Sequence, residues 1–334
     1  MSVNNSVYTL SIIIPVYNVS MYVIAAVDSV INQSIKPYEV IIVDDGSTDN
    51  SGRLVEEHYG FLPYVKIIHT ENQGLGEARN VGTREATGDY IYYFDSDDIL
   101  EHGLIEGFYT ALAENPDMEI YAFSAESFLD TLVVSSVSGS QPKLPQYRRD
   151  TDSVFADGED AFNALSAKEL FFPNAWLYIY QRRLHVEHEL FFKPIIHEDE
   201  EFTPRLFFVG GKTVVTDHVY FRRRVRAGSI MQTGRSEKNA IGYIRSIEAL
   251  ESLLPVCKND ESRRYVRQRI INNILNVISI QKKGKIFFSV QTMKDYSAML
   301  SKYNNFLTRV AVVNFFTYRA LRFLSRRLKF IFSV

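Results

Sequence analysis

The sequence predicts an α/β fold with a mostly parallel central sheet flanked by helices, followed by a helical C-terminal extension. Short apolar runs alternate with helix-length segments over the first hundred residues, and after about residue 238 the pattern is helical almost to the end. Apolar runs without polar alternation are typical of parallel strands, which are covered on both faces. In a chain of 334 residues we therefore expect two domains, residues 1–235 and residues 236–334.

The first four predicted strands are apolar runs, each followed by polar or acidic residues. Right-handed crossovers are expected to join these strands. Because the strands are parallel, their carboxyl ends lie at one edge of the sheet, where open α/β sheets bind ligands. The predicted elements, in order, are strand 11–16, a helix over about 20–33, strand 39–43, a helix to about 59, strand 65–68, helix 76–86 and strand 90–94.

Beyond about residue 117 the pattern becomes irregular. Residues 120–123 and 131–137 have strand character, a loop follows over about 141–152, and a helix is predicted over 158–168. Loops of this kind often determine substrate specificity.

Composition narrows the class of protein. With 46% hydrophobic and 23% charged residues, the chain is an ordinary globular protein. Its single cysteine, Cys257, excludes an internal disulfide framework and fits a reducing compartment. The N-terminal stretch MSVNNSVYTL lacks the Lys or Arg of a signal peptide, and no run of about 18 apolar residues predicts a spanning helix.

The net charge of −3 conceals an asymmetry along the chain. Residues 262–334 carry 15 Lys and Arg against one acid, Asp295, which leaves 22 basic and 39 acidic residues in the stretch 1–261. Two surfaces of such different charge indicate two different partners.

Three acids follow the fourth strand within four residues, at Asp95, Asp97 and Asp98. Carboxylates crowded at the end of a buried strand repel one another unless a cation neutralises them, and oxygen ligands suit Mg²⁺ or Mn²⁺. An ion held by few carboxylates usually completes its shell with substrate phosphates. The alternative interpretation is an acidic loop that caps the following helix.

The second strand also ends in acids, Asp44 and Asp45. A carboxylate there can accept a hydrogen bond from a nucleobase imide or a ribose hydroxyl, whereas Ser47 or Asp49 can cap the next helix. A nicotinamide-binding Rossmann domain is not expected, because the first turn, residues 15–18, has no glycine. A P-loop nucleotide-binding site is not expected either, because the chain contains no GxxxxGK(S/T) motif.

Taken together, these segments resemble the family-2 inverting glycosyltransferases of the GT-A fold. The resemblance covers about residues 9–232 and does not extend to the region after about 240. The matching segments, in the family's order and spacing, are SIIIPVYN (11–18), SVINQ (29–33), EVIIVDDGSTDNS (39–51), NQGLGEARNVGTREATGDYIYYFDSDD (72–98), FFKPIIHEDEEF (191–202) and VYFRRRVRAGSI (219–230).

The resemblance implies a donor site at the carboxyl ends of the strands. Pro15, Val16 and Tyr17, together with Asp45, would form the pocket for the nucleotide base. Asp95 would face the ribose of the same nucleotide.

The resemblance also implies a metal ligand and a base. Asp97, the second acid of a DXD motif, would bind Mn²⁺ or Mg²⁺ on the donor diphosphate. Arg224 lies in a basic run that is either a clamp for the diphosphate or a solvated turn. Asp199 is the implied catalytic base, but the run of four acids leaves Glu198 or Glu200 as alternatives. Such a run is also typical of an exposed helix start, where the helix dipole favours acids.

The activity that the resemblance implies is metal-dependent, inverting sugar transfer. One sugar, hexosyl or N-acetylhexosaminyl, would move from a nucleotide sugar, expected to be UDP-linked, to a hydroxyl of a growing, lipid-linked surface glycan such as a capsular polysaccharide or exopolysaccharide. A processive synthase is not expected, because the chain has no QxxRW motif. The alternative is a catalytically silent sugar- or membrane-binding scaffold, and nucleic acid is not an expected partner.

The C-terminus is predicted to attach the protein to a membrane surface. A basic face beside an apolar, Phe-rich face is typical of a helix lying in an anionic interface, which implies a cytoplasmic protein held on the inner face of the cell membrane. The alternative is a closing helix that packs on the catalytic domain or on a second subunit of a homo-oligomer. Starting at about residue 310, the apolar face is Val310, Val313, Leu321, Leu324, Leu328 and Ile331, and the basic residues are Arg319, Arg322, Arg326 and Lys329.

Overall fold

The computed structural model describes residues 8–130, 144–226, 236–284 and 286–314. Contacts within the chain divide it into two compact units, one within Met1–Pro194 and Phe202–Thr233 and one within Ile195–Glu201 and Gly234–Val334. The domain boundary predicted at residue 235 stays a prediction. The strand predicted at 131–137 and the basic residues predicted from 319 onward lie outside the described residues.

The first unit is built on one sheet. Its strands, in chain order, are β1 (Leu10–Val16), β2 (Glu39–Asp44), β3 (Val65–His69), β4 (Tyr90–Tyr93), β5 (Ile99–Leu100), β6 (Ile120–Leu129), β7 (Ser153–Phe155), β8 (Tyr178–Gln181) and β9 (Thr213–Val225). Among the described residues the order across the sheet is β3-β2-β1-β4-β8-β6-β9-β5, and β7 pairs with β9. The part β3-β2-β1-β4 is parallel, whereas β8 runs antiparallel between β4 and β6.

Helices connect these strands, which confirms the predicted α/β class with a central sheet flanked by helices. The helices from the N-terminus to residue 209 are α1 (Val23–Ile31), α2 (Ser51–Tyr59), α3 (Leu75–Glu85), α4 (Leu104–Glu114), α5 (Gly158–Ala167), α6 (Arg183–Glu187) and α7 (Glu198–Val209). A short 3₁₀ helix, Ala175–Leu177, precedes β8.

The core of the first unit centres on β1, which is buried at every position. Ile12, Ile13 and Ile14 have no exposed surface, and full burial of each such side chain contributes about 1.5–3 kcal/mol. Helix α3 packs closely on this strand, because a Cβ added to Gly82 would lie 2.3 Å from Cγ2 of Ile13. The close packing fixes the position of α3 against β1, and hence the positions of the side chains that α3 carries.

The second unit is helical in its described C-terminal part, as predicted. Its helices are α8 (Glu237–Leu253), α9 (Asp260–Gly284), α10 (Val290–Lys302) and α11 (Phe306–Val313). Both α8 and α9 bury apolar faces, with Ile247 and Leu250 on the first and Ile270 and Ile274 on the second. None of the helices in the described ranges is long and apolar enough to cross a membrane.

The predicted start of the basic helix at about residue 310 is wrong. Val310 and Val313 belong to α11, which ends at Val313, and Asn314 has an extended backbone with φ −144° and ψ 97°. The helix that carries Val310 and Val313 therefore ends before Asn314 and does not begin at residue 310.

Candidate active site

The carboxyl ends of three parallel strands meet at one edge of the sheet. Val16 at the end of β1 is in register with Asp44 of β2, and Ile13 is in register with Tyr93 of β4. The residues that follow these strands include Tyr17, Asp45 and Asp95, so the predicted donor residues are brought to the same edge. This is the edge at which open α/β sheets bind ligands.

Among the residues predicted to surround the nucleotide base, the side chains differ in accessibility. Pro15 and Val16 are buried in β1, whereas the side chain of Tyr17 is 48% exposed. Asn18 follows with a positive φ of 51°, and its Oδ1 accepts hydrogen bonds from the backbone N–H groups of Thr48 and Asp49. The loops after β1 and β2 are thus bonded to each other, and Tyr17 is held at their junction.

Asp45 is buried and organises the neighbouring loop. Its Oδ1 accepts a hydrogen bond of 2.9 Å from the backbone N–H of Gln73, and its Oδ2 accepts one of 2.8 Å from Gly74. Only 2% of the residue is exposed. Asp45 therefore fixes the entry into α3, and its predicted contact with the base stays a prediction.

Asp95 is held by an arginine that the sequence reasoning missed. Nη2 of Arg79 donates to Oδ1 of Asp95 at 2.9 Å, and the guanidinium lies 5.2 Å from the centre of the Phe192 ring. Arg79 is only 2% exposed, and an arginine is seldom so buried unless its charge is paired. The signal was available in the sequence, because a lone arginine stands among small residues on one face of α3, including Gly76 and Gly82.

Asp97 pairs with an arginine at the end of β9. Nε of Arg226 lies 2.7 Å from its Oδ2, and the two side chains are 15% and 22% exposed. Burial raises the pKa of the Asp97 carboxyl, and the charge of Arg226 partly offsets that rise. The ion pair holds the positive charge of Arg226 against the carboxylate that was predicted to bind a metal ion.

Asp98 joins the acidic turn to the sheet. Its Oδ1 accepts a hydrogen bond of 2.6 Å from the backbone N–H of Arg224, and the residue is 3% exposed. Burial, together with the charges of Asp97 and Asp95, raises the pKa of Asp98 well above its usual value. The turn is therefore tied to β9, and a buried acid lies directly beside the predicted metal ligand.

Arg224 lies in a strand, so the alternative of a solvated turn is wrong for this residue. Its guanidinium is 4.7 Å from the centre of the Phe128 ring and 5.1 Å from that of Tyr22. Its Nε donates to the backbone carbonyl of Asp97 at 2.9 Å. The Tyr22 hydroxyl donates to Asp130 at 2.7 Å, which places a further acid within the same cluster.

The chemistry of this donor set fits a divalent cation. Asp95 and Asp97 offer carboxylate oxygens, which are the ligands that Mg²⁺ and Mn²⁺ prefer. The buried Asp98 lies directly beside them, and its Oδ1 is bonded to the backbone N–H of Arg224. In the part of the chain that the structure describes, no group of three or more His, Cys, Asp or Glu residues is arranged to hold a metal ion.

The predicted base lies in the second unit, at the start of α7. Glu198 and Glu201 are buried, with 7% and 0% exposed, whereas Asp199 is partly exposed. Glu200 is paired with Arg269, whose Nη2 lies 2.6 Å from its Oε2. Of the three candidates, burial disfavours Glu198 and a bound guanidinium disfavours Glu200.

Comparisons with known proteins place this architecture in context. The model of the family described as Glycosyl transferase family 2 matches residues 11–159. Glycosyltransferase GlyG of Streptococcus pneumoniae serotype 4 is 30% identical over 236 residues, which cover 67% of this chain and 73% of that protein. Glycosyltransferase GlyA of the same organism is 28% identical over 222 residues, 66% of this chain and 31% of the relative.

Chondroitin synthase of Escherichia coli is 47% identical over 96 residues, which cover 29% of this chain and 14% of that protein. The chain thus matches less than a third of the length of GlyA and of chondroitin synthase.

Solved structures show the same fold. The structure of S. aureus TarS 1-349 in complex with UDP-GlcNAc has a TM-score of 0.65 at 19% identity and covers 91% of this chain and 81% of that one. The mannosyltransferase PcManGT from Pyrobaculum calidifontis, in complex with GDP-Man and Mn²⁺, has a TM-score of 0.55 at 15% identity, covering 92% and 84%.

Proposed function

Because the chain belongs to glycosyl transferase family 2, we propose that it transfers one sugar from a nucleotide sugar to a hydroxyl of a growing surface glycan, with inversion. The observation that carries this proposal is the meeting of Tyr17, Asp45, Asp95 and Asp97 at one edge of the sheet, with Arg226 bonded to the last of them. We propose a UDP-linked donor, a hexosyl or N-acetylhexosaminyl group, and a lipid-linked acceptor. TarS 1-349, which shares the fold, was solved in complex with UDP-GlcNAc, and this supports the choice of nucleotide by analogy.

On the donor side, Tyr17 offers an exposed aromatic ring, and the backbone N–H of Asp45 donates to the carbonyl of Val16, the residue before Tyr17. A base can stack on such a ring, and a buried carboxylate close by can accept from its imide. Asp95 is oriented by Arg79, since the ion pair restricts its rotamer and leaves one carboxylate oxygen to accept hydrogen bonds from ribose hydroxyls. The nucleotide would thus be bound by groups that the fold has already positioned.

The diphosphate would be bound by arginines and by a metal ion held on Asp97. When bound, Mn²⁺ or Mg²⁺ would neutralise the charge of the nucleoside diphosphate leaving group. Arg226 would exchange Asp97 for the diphosphate, because a guanidinium bonds phosphate oxygens as readily as it bonds a carboxylate. Arg224 would add positive charge from the neighbouring part of β9.

Asp199 would act as the general base. It would take the proton of the acceptor hydroxyl as that oxygen attacks the anomeric carbon from the face opposite the leaving group. A single base suffices, because inversion needs no covalent intermediate on the protein. The bound guanidinium on Glu200 and the burial of Glu198 support this choice.

We also propose attachment to the inner face of the cell membrane through the C-terminus. The described part of the second unit supports this by its exposed apolar side chains, since Phe287 is 96%, Val290 76%, Phe306 70% and Val313 87% exposed. Basic residues dominate the same region, which carries 15 Lys and Arg against one acid over residues 262–334. Apolar groups among basic ones favour an anionic lipid surface.

The proposal is tested with the purified protein and a panel of nucleotide sugars. We expect metal-dependent release of nucleoside diphosphate from one UDP-sugar, and calorimetry should show that UDP binds more tightly when Mn²⁺ is present. If UDP does not bind with or without Mn²⁺ and no nucleotide sugar is turned over, the chain is a scaffold with this fold and the proposed transfer is wrong.

A further inference from the structure

The acidic segment that carries the proposed base is held by helices far from it in the sequence. Residues 195–201 belong to the same compact unit as the C-terminal helices. The contact is close: a Cβ added to Gly242 of α8 would lie 1.8 Å from the carbonyl oxygen of Ile196. Only glycine allows the helix to approach the backbone of this segment so closely.

Helix α8 also holds the residue that precedes α7. His197 has a positive φ of 69°, a conformation that persists in a residue with a Cβ only where its surroundings enforce it. Its imidazole stacks on the ring of Tyr243 at 4.1 Å, and Asn239 Nδ2 lies 3.4 Å from its Nε2. The carbonyl of His197 accepts from the N–H of Glu200, so the turn that contains Asp199 begins from a fixed point.

Helix α9 adds an ion pair to the same turn. Nη2 of Arg269 lies 2.6 Å from Oε2 of Glu200, and the two side chains are only 15% and 21% exposed. Glu200 directly follows Asp199, and its backbone N–H donates to Oδ1 of Asp199 at 2.9 Å. Arg269 is thus linked to the carboxylate of Asp199 through one intervening residue.

From these contacts we infer that α8 and α9 position the base, and that Arg269 is a positioning residue for Asp199. The inference rests on the proposed function, in which Asp199 removes the proton. It assigns a role to the region after about residue 240, which lies outside the segments that resemble the family. A base acts only within hydrogen-bond reach of its proton, and a misplacement of about 1 Å can cost on the order of 10²-fold in rate.

The test uses the full chain and metal-dependent release of UDP from the UDP-sugar that the panel selects, where water takes the place of the acceptor. Arg269→Gln should lower kcat about 10- to 100-fold, while KM for the donor and the affinity for UDP and Mn²⁺ stay within about twofold. Arg269→Lys should restore most of kcat, because the ammonium can still pair with Glu200. Arg264→Gln is the matched control, since Arg264 lies on the same helix and is 66% exposed.

A double-mutant cycle separates positioning from mere support of the fold. In the Asp199→Asn background, Arg269→Gln should cause no further loss, because the residue acts through Asp199. An equal loss in both backgrounds, or wild-type kcat in Arg269→Gln, would overturn the inference. Those results leave the proposed transferase intact, whereas full turnover by Asp199→Asn would reject Asp199 as the base and the inference with it.

Discussion

Nε of Arg226 lies 2.7 Å from Oδ2 of Asp97, so the carboxylate proposed to bind a divalent cation is bonded to a guanidinium. The two side chains are 15% and 22% exposed, which makes the pair stronger than a surface ion pair. A metal ion held on Asp97, as proposed, would therefore compete with Arg226 for the same oxygen. Donor binding would resolve the competition, because the diphosphate would offer the guanidinium a new partner.

The first prediction follows from this competition. Arg226→Gln should raise the affinity of the donor-free protein for Mn²⁺ by about three- to tenfold, since breaking an ion pair of this kind costs about 1 kcal/mol. Titration of Mn²⁺ followed by electron paramagnetic resonance measures the effect. Arg222→Gln is the control, because Arg222 is 47% exposed and lies 3.4 Å from Glu101. A weaker or unchanged affinity in Arg226→Gln would contradict the competition.

The second prediction concerns Asp97 itself. Asp97→Asn keeps the shape of the side chain but removes its charge, so metal-dependent turnover should fall by about 10²-fold or more. The melting temperature should change little, because loss of the ion pair with Arg226 is offset by relief of the repulsion between Asp97 and the buried Asp98. Asp117→Asn, at an acid that is 68% exposed, controls for loss of charge alone. Near-normal turnover by Asp97→Asn at limiting Mn²⁺ would rule out Asp97 as the ligand.

The third prediction separates the base from its neighbours. Asp199→Asn should lower kcat by about 10²–10⁴-fold, the usual contribution of a positioned general base. Affinity for UDP should hardly change, because this group acts on the acceptor. Steady-state kinetics and calorimetry measure the two effects. If the large loss of kcat appears in Glu198→Gln instead, the role of base moves to that residue.

Sequence reasoning placed the proposed donor residues at one edge of the sheet because the signals for that placement are local. Each strand end is marked by an apolar run followed at once by acids, so Asp45, Asp95 and Asp97 could be placed at one edge from the order of strands and helices alone. The strand order beyond β4 could not be derived in this way, because β8 enters between β4 and β6 by antiparallel pairing over a long separation.

The arginines show the same limit. The guanidinium of Arg79 pairs with Asp95 across 16 residues of sequence, and that of Arg269 pairs with Glu200 across 69. The backbone N–H of Arg224 donates to Asp98 across 126 residues. Nothing in the local sequence selects these partners, since they depend on how the strands and helices pack. The sequence suggested Asp98 only as a third acid near a cation. In the structure its carboxylate accepts a hydrogen bond from a backbone N–H of β9, a partner that depends on the packing of the sheet.

The fourth prediction concerns His185, which is buried in the first unit. Its Nε2 lies 2.8 Å from the hydroxyl of Tyr180, and burial lowers its pKa to about 4, with the charges of Arg182 and Arg205 contributing. The unfolded chain binds a proton near pH 6.5, so the stabilisation from the neutral ring is complete above that pH and is lost as pH falls towards 4. The loss is on the order of 3 kcal/mol.

Urea unfolding between pH 4.5 and 7.5 measures this dependence. The free energy of unfolding of His185→Gln should depend less steeply on pH than that of the wild type, because the variant has no imidazole to protonate. His188→Gln, at an exposed histidine three residues along the chain, is the control for loss of an imidazole at the surface. Equal slopes for all three proteins would mean that His185 does not titrate below its usual range.

The fifth prediction concerns the C-terminus, where residues 315–334 lie outside the described residues. This stretch contains Phe and Leu side chains among five basic residues and no acid. Such a segment binds an anionic interface by burying apolar groups at the acyl boundary while Lys and Arg contact headgroups. The acidic stretch 1–261 would be repelled by the same surface.

Liposome flotation separates membrane binding from packing in a core. The full chain should float with vesicles that contain anionic lipid, remain in solution with neutral vesicles, and lose binding as salt is added, because screening weakens attraction between exposed charges. Replacement of Arg319, Arg322 and Arg326 by Gln should weaken binding by roughly 1 kcal/mol per residue. Truncation after Asn314 should abolish binding and leave the remaining chain folded, because α11, which ends at Val313, stays whole. If instead the truncated chain aggregates and the full chain is indifferent to lipid charge, the segment is part of a core or of a subunit interface, because then its Phe side chains are needed for burial and not for lipid.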